Sequence, residues 1–403
     1  MKKFFCGLLA VLVVLCSCGK DTVQDVSRSP SVQETTVPAE TETTKAAIQT
    51  ETEFETGTES VTVPEVLPEQ DRIKELLDSM TVEEKVGQMF FVRCPETDSV
   101  QDVSIYHLGG YLLFGRDFAA KSPDEVKEMI ASYQNASTIP LFIGVDEEGG
   151  TVVRISSNPD LWEHKFLSPQ EIFNEGGIDA FRADAAEKAA MLKLYGVNVN
   201  FAPVCDVSVD AADFIYRRSL GQDAETTADY VGTVVEVMHS SGVASVLKHF
   251  PGYGNNADTH TGIAVDNRPY TSFAESDFLP FLSGIGNGAE FILVSHNVVT
   301  SIDSELPASI SPAVHELLRR ELGFEGIILT DDLAMKALEA YSEDNRCAVM
   351  AVNAGNDMIV TTDYREQIPI VIDAVNSGEI DISVIDDAVY RILQIKYNLG
   401  LIQ

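Results

Sequence analysis

Eight short apolar runs, most of them separated by amphipathic stretches and six of them closing on polar residues, constrain the fold of this 403-residue chain more than any other feature. They are QMFFVRC (88–94), GGYLLFG (109–115), PLFIGVD (140–146), VNFAPVCDV (199–207), SVLKHF (245–250), EFILVSH (290–296), GIILTDD (326–332) and DMIVTT (357–362). Runs this short and this continuous suit strands buried on both faces of a parallel sheet. Helical patterns lie between most of them, as in 122–136, 178–196, 227–242, 312–323 and 345–355. The alternation predicts a single (β/α)8 barrel of the TIM type. One connection, 95–108, shows no clear helix. An open doubly wound sheet is the alternative, but no glycine-rich dinucleotide loop follows the first run.

Polar residues gather where the runs end: Asp146, Asp206, Lys248 with His249, His296, Asp331 with Asp332, and Thr361. One charged residue after a strand is often only a helix cap. In a barrel, however, all the strand ends meet at one mouth, where catalytic groups are placed.

The N-terminus reads differently. Positive charge at Lys2 and Lys3 precedes an apolar run from Phe4 to Leu15, too short for a membrane-spanning helix and fitting a signal-peptide core. Leu15-Cys16-Ser17-Cys18 resembles a bacterial lipobox, although Cys16 is an unusual residue for its place. Residues 1–17 are therefore expected to be a lipoprotein signal peptide and Cys18 the lipidated residue, with simple cleavage as the alternative. Either route takes the protein out of the cytoplasm. Residues 18–70, rich in Thr, Glu, Ser and Pro, lack a hydrophobic period and read as a disordered linker to a catalytic barrel at 71–403.

Charge narrows the partners. The formal charge is −35, and residues 20–70 carry eleven acids against Lys20, Arg28 and Lys45, leaving −29 on the domain. Such a surface repels nucleic acid and anionic polymers. Cys94, Cys205 and Cys347 stand alone in apolar runs and read as buried thiols. No disulfide framework or metal-ligand spacing is present.

Three segments hold candidate chemistry. In LKHFPGYGNNADTH (247–260), Asp258 and His260 lie two apart on a Pro- and Gly-rich loop, where an acid can orient and protonate the imidazole. The same pair could be incidental to a surface loop. In GIILTDDLAM (326–335), Asp331 is a nucleophile, a metal ligand or a helix cap. In GVDEEGGTVVR (144–154), Asp146 and Arg154 suit bidentate hydrogen bonding to sugar hydroxyls, or form a surface ion pair. Arg218, near the end of the fourth run, adds a further donor.

Taken together, MTVEEKVGQMF (80–90), GGYLLFGRDF, VDEEGG, NFAPVCDV, KHFPGYG, ILVSH, LTDDLAM and NAGNDM (353–358) resemble glycoside hydrolase family 3, in its single-domain bacterial β-N-acetylglucosaminidase branch. The resemblance runs from about Met80 to the C-terminus. It implies that Asp331 is the catalytic nucleophile, His260 the general acid/base and Asp258 its partner. Asp146, Arg154, Arg218, Lys248 and His249 would hold the sugar. The chain ends at Gln403, soon after the last helical pattern, so no second domain is expected to supply an acid. Tyr253 stands where the family usually has His, and the stretch before Asp258 is one residue short; both bear on the leaving-group side and on the loop.

The implied reaction is removal of terminal β-linked N-acetylglucosamine from peptidoglycan-derived or chitin-type oligosaccharides, through a glycosyl-Asp331 intermediate, without metal or organic cofactor. Two other readings stay open. Phosphate could replace water as acceptor, making a phosphorylase, or the chain could be an inactive sugar-binding lipoprotein. A monomer is expected.

Overall fold

The computed structural model describes residues 68–256, 262–338, 341 and 346–403. Within Glu65–Gln403, which forms one compact unit, eight parallel strands close into a barrel ringed by helices. The strands are β1 (Phe90–Arg93), β2 (Gly110–Leu113), β3 (Phe142–Val145), β4 (Val199–Asn200), β5 (Ala244–Phe250), β6 (Phe291–Val294), β7 (Ile327–Thr330) and β8 (Ile359–Thr361). Their spatial order is β8-β1-β2-β3-β4-β5-β6-β7, and a parallel bridge between Leu329 and Met358 joins the two ends. The eight apolar runs are thus the eight staves. The doubly wound alternative falls because the first and last strands pair directly, Phe90 with Ile359 and Val92 with Thr361.

Local sequence explains where helices begin. In Ser122-Pro-Asp-Glu125 and Ser168-Pro-Gln-Glu171, serine caps the first turn and proline occupies its start. The serine N–H in turn donates to the glutamate carboxylate at 2.8 Å. Thr81 and Glu84 repeat the reciprocal pair. The connection after β1 does contain a helix, Ser99–Ile105, contrary to the sequence expectation. It is only seven residues long, and Asp98 before it has φ 65° and no side-chain cap, so neither periodicity nor a start signal marks it.

The barrel interior is solid. Phe91, Phe142, Phe201 and Phe291 meet at centroid distances of 5.1–6.2 Å. Gly144 on β3 makes room for them, since a Cβ there would sit 2.7 Å from the Phe201 ring and 2.8 Å from Phe91. Beneath this layer Lys396 is fully buried, its ammonium 2.7 Å from Gln88 Oε1 and 5.0 Å from the Phe142 ring. Burial holds its pKa well below the usual lysine range. A packed floor of this kind closes the barrel interior beneath the C-terminal mouth. Cys94, Cys205 and Cys347 are buried, as expected.

Candidate active site

The sequence Gly144-Val-Asp-Glu-Glu148 leaves β3 with three consecutive acids: Asp146 and Glu148 share Lys248, while Glu147 turns to the backbone. Asp146 accepts from Lys248 Nζ at 2.7 Å and from Arg154 at 2.8 Å. Burial opposes its ionisation, but Lys248 and Arg154 hold the carboxyl below the ordinary range. Glu147 is buried and turns the chain back, accepting the N–H groups of Arg154 and Ile155 at 2.9 Å and the Ser156 hydroxyl. Glu148 receives a two-pronged bond from Arg218, at 3.0 and 2.7 Å, and lies 2.5 Å from Lys248 Nζ. Burial would push its pKa up, but Arg218 and Lys248 bring it down to about 2.

Strand β5 delivers Lys248 and His249 together. Successive residues on a regular strand face opposite ways, but the register with β6 slips between Leu247 and Phe250, and both side chains line the mouth. His249 Nε2 lies 3.2 Å from Arg218 and Nδ1 lies 2.8 Å from Asp206. A guanidinium can only donate, so Nε2 is the acceptor and the ring proton sits on Nδ1, donated to Asp206. Glu148, Arg218, His249 and Asp206 therefore form one chain of charge-assisted contacts.

Asp331 follows β7 directly, its N–H bonded to Val294 O at 3.0 Å. Its Oδ1 accepts the Asp332 N–H at 2.9 Å, and Oδ2 has no partner among the described residues. Asp332 turns aside, accepting from Ala334 N–H and the Thr362 hydroxyl, and burial raises its pKa.

A cavity of about 270 Å³ opens at the barrel mouth, with Glu147, Glu148 and Asp206 behind its lining. Six of the eight residues singled out in the sequence line it: Asp146, Arg154, Arg218, Lys248, His249 and Asp331. Asp258 and His260 lie outside the described residues, as does Cys18. Tyr253 is buried beside Val204 and Ile215, its ring edge-on to His249 at 5.1 Å and its N–H on Asp206 at 2.7 Å. It therefore braces the wall behind His249.

Sequence reasoning missed several participants. Glu148 looks like part of a solvated acidic turn, and Asp206 was noticed only as a strand-end acid. Arg93 and Phe114, at the ends of β1 and β2, also line the cavity. The Arg93 guanidinium lies 4.3 Å over the Phe114 ring, and its buried Nε has no hydrogen-bond partner among the described residues. Among the described residues no cluster of His, Cys, Asp or Glu is placed to hold a metal. The arrangement offers fixed cations, fixed carboxylates and one carboxylate oxygen without a partner among the described residues, which suits a neutral, hydroxyl-rich ligand.

Residues 81–395 match the glycosyl hydrolase family 3 N terminal domain. A β-hexosaminidase of Nitrosomonas eutropha is 34% identical over 268 residues, 66% of this chain and 76% of that protein. One from Xanthomonas campestris is 32% identical over 238 residues, 57% of this chain and 70% of its own. Among solved structures, a family 3 β-N-acetylglucosaminidase from Paenibacillus superposes with a TM-score of 0.74 at 28% identity, covering 80% of this chain. This chain spans 63% of that protein's length. A β-N-acetylhexosaminidase from Beutenbergia cavernae gives a TM-score of 0.71 at 28% identity, covering 79% of this chain and 99% of that one.

Proposed function

The chain belongs to glycosyl hydrolase family 3 and is a glycoside hydrolase, and from that premise we propose that it is a retaining exo-β-N-acetylglucosaminidase with Asp331 as nucleophile. The observation that carries the reading is Asp331, whose Oδ2 has no partner among the described residues, in one cavity with Asp146, Lys248 and Arg218, the last two held by Glu148. The names of the relatives support N-acetylglucosamine as the sugar removed. Asp146, Arg154, Arg218, Lys248 and His249 hold its hydroxyls. Asp331 attacks the anomeric carbon as His260, oriented by Asp258, protonates the leaving oxygen. Water, deprotonated by the same imidazole, then cleaves the glycosyl ester with net retention. The substrate comes from peptidoglycan fragments or chitin-type oligosaccharides, met outside the cytoplasm by an enzyme anchored through lipid on Cys18.

Release of 4-nitrophenol from its β-N-acetylglucosaminide, with and without phosphate, tests this directly. Turnover independent of phosphate, reduced at least ~10⁴-fold in Asp331→Ala, is the expected result. Strong phosphate stimulation would make the enzyme a phosphorylase. Absence of release from both the N-acetylglucosaminide and the β-glucoside would leave a sugar-binding protein.

A further inference from the structure

Along a strand, every second residue shares one face. Phe91 on β1 belongs to the aromatic layer inside the barrel. Arg93, two residues on, therefore stands one layer nearer the mouth, and it lines the cavity that holds Asp331. Its backbone is fixed against β2, where Arg93 pairs with Leu112 and the Cys94 N–H donates to Leu112 O at 3.0 Å. The guanidinium rests 4.3 Å from the Phe114 ring, and the Phe114 N–H is held by Asp117 at 2.7 Å.

Every other arginine or lysine of this cavity is spent on a carboxylate. Asp146 holds Arg154 and Lys248, and Glu148 holds Arg218. Arg93 alone has neither hydrogen bond nor ion pair among the described residues, although its Nε is buried. A guanidinium carries five donors and no acceptor. In this position all five remain for whatever fills the cavity.

The barrel's own geometry says which part of a sugar they meet. In a closed ring of eight staves β1 stands opposite β5, and β3 opposite β7. Asp331 follows β7, and Asp146 follows β3. C1 and C4 of a pyranose lie across the ring from each other, so a glycone whose C1 meets Asp331 turns C4 toward Asp146 and Arg154. Its two flanks then face β5 and β1. From β5 come Lys248 and His249, with Arg218 3.2 Å from the imidazole. That set suits the flank with two polar substituents, the 3-hydroxyl and the 2-acetamido group. On the β1 side a single cation stands among Leu112, Phe114 and Val360. This suits the C5–C6 edge, which is apolar except for one hydroxyl.

We propose that Arg93 is a specificity-determining residue that donates to the 6-hydroxyl of the glycone. The inference rests on the reading of Asp331 as the nucleophile toward an N-acetylglucosaminide. It adds a fourth wall to a site whose other three walls carry the residues already assigned.

The test uses the whole protein on 4-nitrophenyl β-N-acetylglucosaminide and on its 6-deoxy analogue. The variants are Arg93→Met, which keeps an apolar stem beside Phe114 without a donor, and Arg93→Lys, which keeps the charge. A hydrogen bond from a charged donor corresponds to a factor of roughly 10–100. Removing the 6-hydroxyl from the substrate, or the donors from the enzyme, should each lower kcat/KM by about that factor. The second change made on top of the first should cost less than about 3-fold. Arg93→Lys should recover part of the loss on the 6-hydroxyl substrate and change nothing on the 6-deoxy one. Losses in Arg93→Met of equal size on both substrates would overturn the proposal. If Arg93→Met does not fold, Arg93→Lys decides alone, by whether its loss is confined to the 6-hydroxyl substrate. An unsubstituted enzyme that releases 4-nitrophenol but treats the two substrates alike would overturn the role of Arg93 and leave the nucleophile standing. One that releases it from neither would overturn the N-acetylglucosaminidase reading, and this inference with it.

Discussion

Glu148 touches only protein, yet the order of the cavity depends on it. It is the shared acceptor of Lys248 and Arg218, and Arg218 hands the contact on to His249 and Asp206. Glu148→Gln keeps the shape but removes the charge, and it turns an N–H group toward donors that need an acceptor. Lys248 then keeps only Asp146 as a carboxylate partner, and Arg218 keeps none in direct contact among the described residues. Breaking one side of such a cluster costs about 3–5 kcal/mol of stability. Substrate binding should suffer too, with kcat/KM down roughly 10–100-fold and most of the change in KM, because the donors that hold the sugar lose their fixed directions. Steady-state kinetics on the aryl glycoside decide it; an unchanged KM would mean that the cations do not hold the sugar. The sequence made Asp146, Arg154, Arg218, Lys248, His249 and Asp331 legible because each sits at a strand end or in a motif. Glu148 was not legible, since Asp-Glu-Glu-Gly-Gly reads as a solvated turn until Lys248, 102 residues from Asp146, closes over it.

At the scale of elements, the strands were readable because burial on both faces writes itself as an apolar run, and β4 shows the limit of that rule. Its run extends to Val207, but regular pairing covers only Val199–Asn200 before Ala202-Pro203 interrupts the ladder. The helix at Ser99–Ile105 shows the opposite limit, where a short element packed by its neighbours carries too few residues to display a period. Neither limit disturbs the mouth, because β3, β5 and β7 bring most of the reactive groups and rest on the aromatic layer. Gly144 is the point where that layer meets β3. Gly144→Ala inserts a methyl 2.7–2.8 Å from two rings and should destabilise the protein by about 1–3 kcal/mol. Because Asp146 is two residues further along, activity should fall as well. Thermal unfolding and kcat/KM measured together check this, and a variant as stable and active as the parent would show that the layer yields freely.

Over the whole molecule, two sets of buried acids pull stability in opposite directions as pH changes. Asp277 is pushed up to about 6 by burial, against the pull of Arg268, and burial also raises Glu147 and Glu290. A carboxyl with a raised folded pKa binds its proton more readily in the folded state. These groups therefore add stability as pH falls from about 6 toward 4. Acidification also relieves the self-repulsion of a chain with formal charge −35. Glu148, at about 2, and Asp146 have depressed values, so their contribution is complete above the ordinary carboxylate range and is lost as pH drops from about 4.5 toward 2. The two trends give a stability maximum between about pH 4.5 and 6, followed by steep acid unfolding. Because Glu148→Gln removes one of the depressed groups, it should flatten the acid limb as it lowers the maximum, so that the two proteins converge near pH 2–3. Melting temperatures of both proteins from pH 2 to 8 measure this. Stability of the parent that rose without a break down to pH 3 would mean that the glycone-side ion cluster does not hold the barrel mouth together.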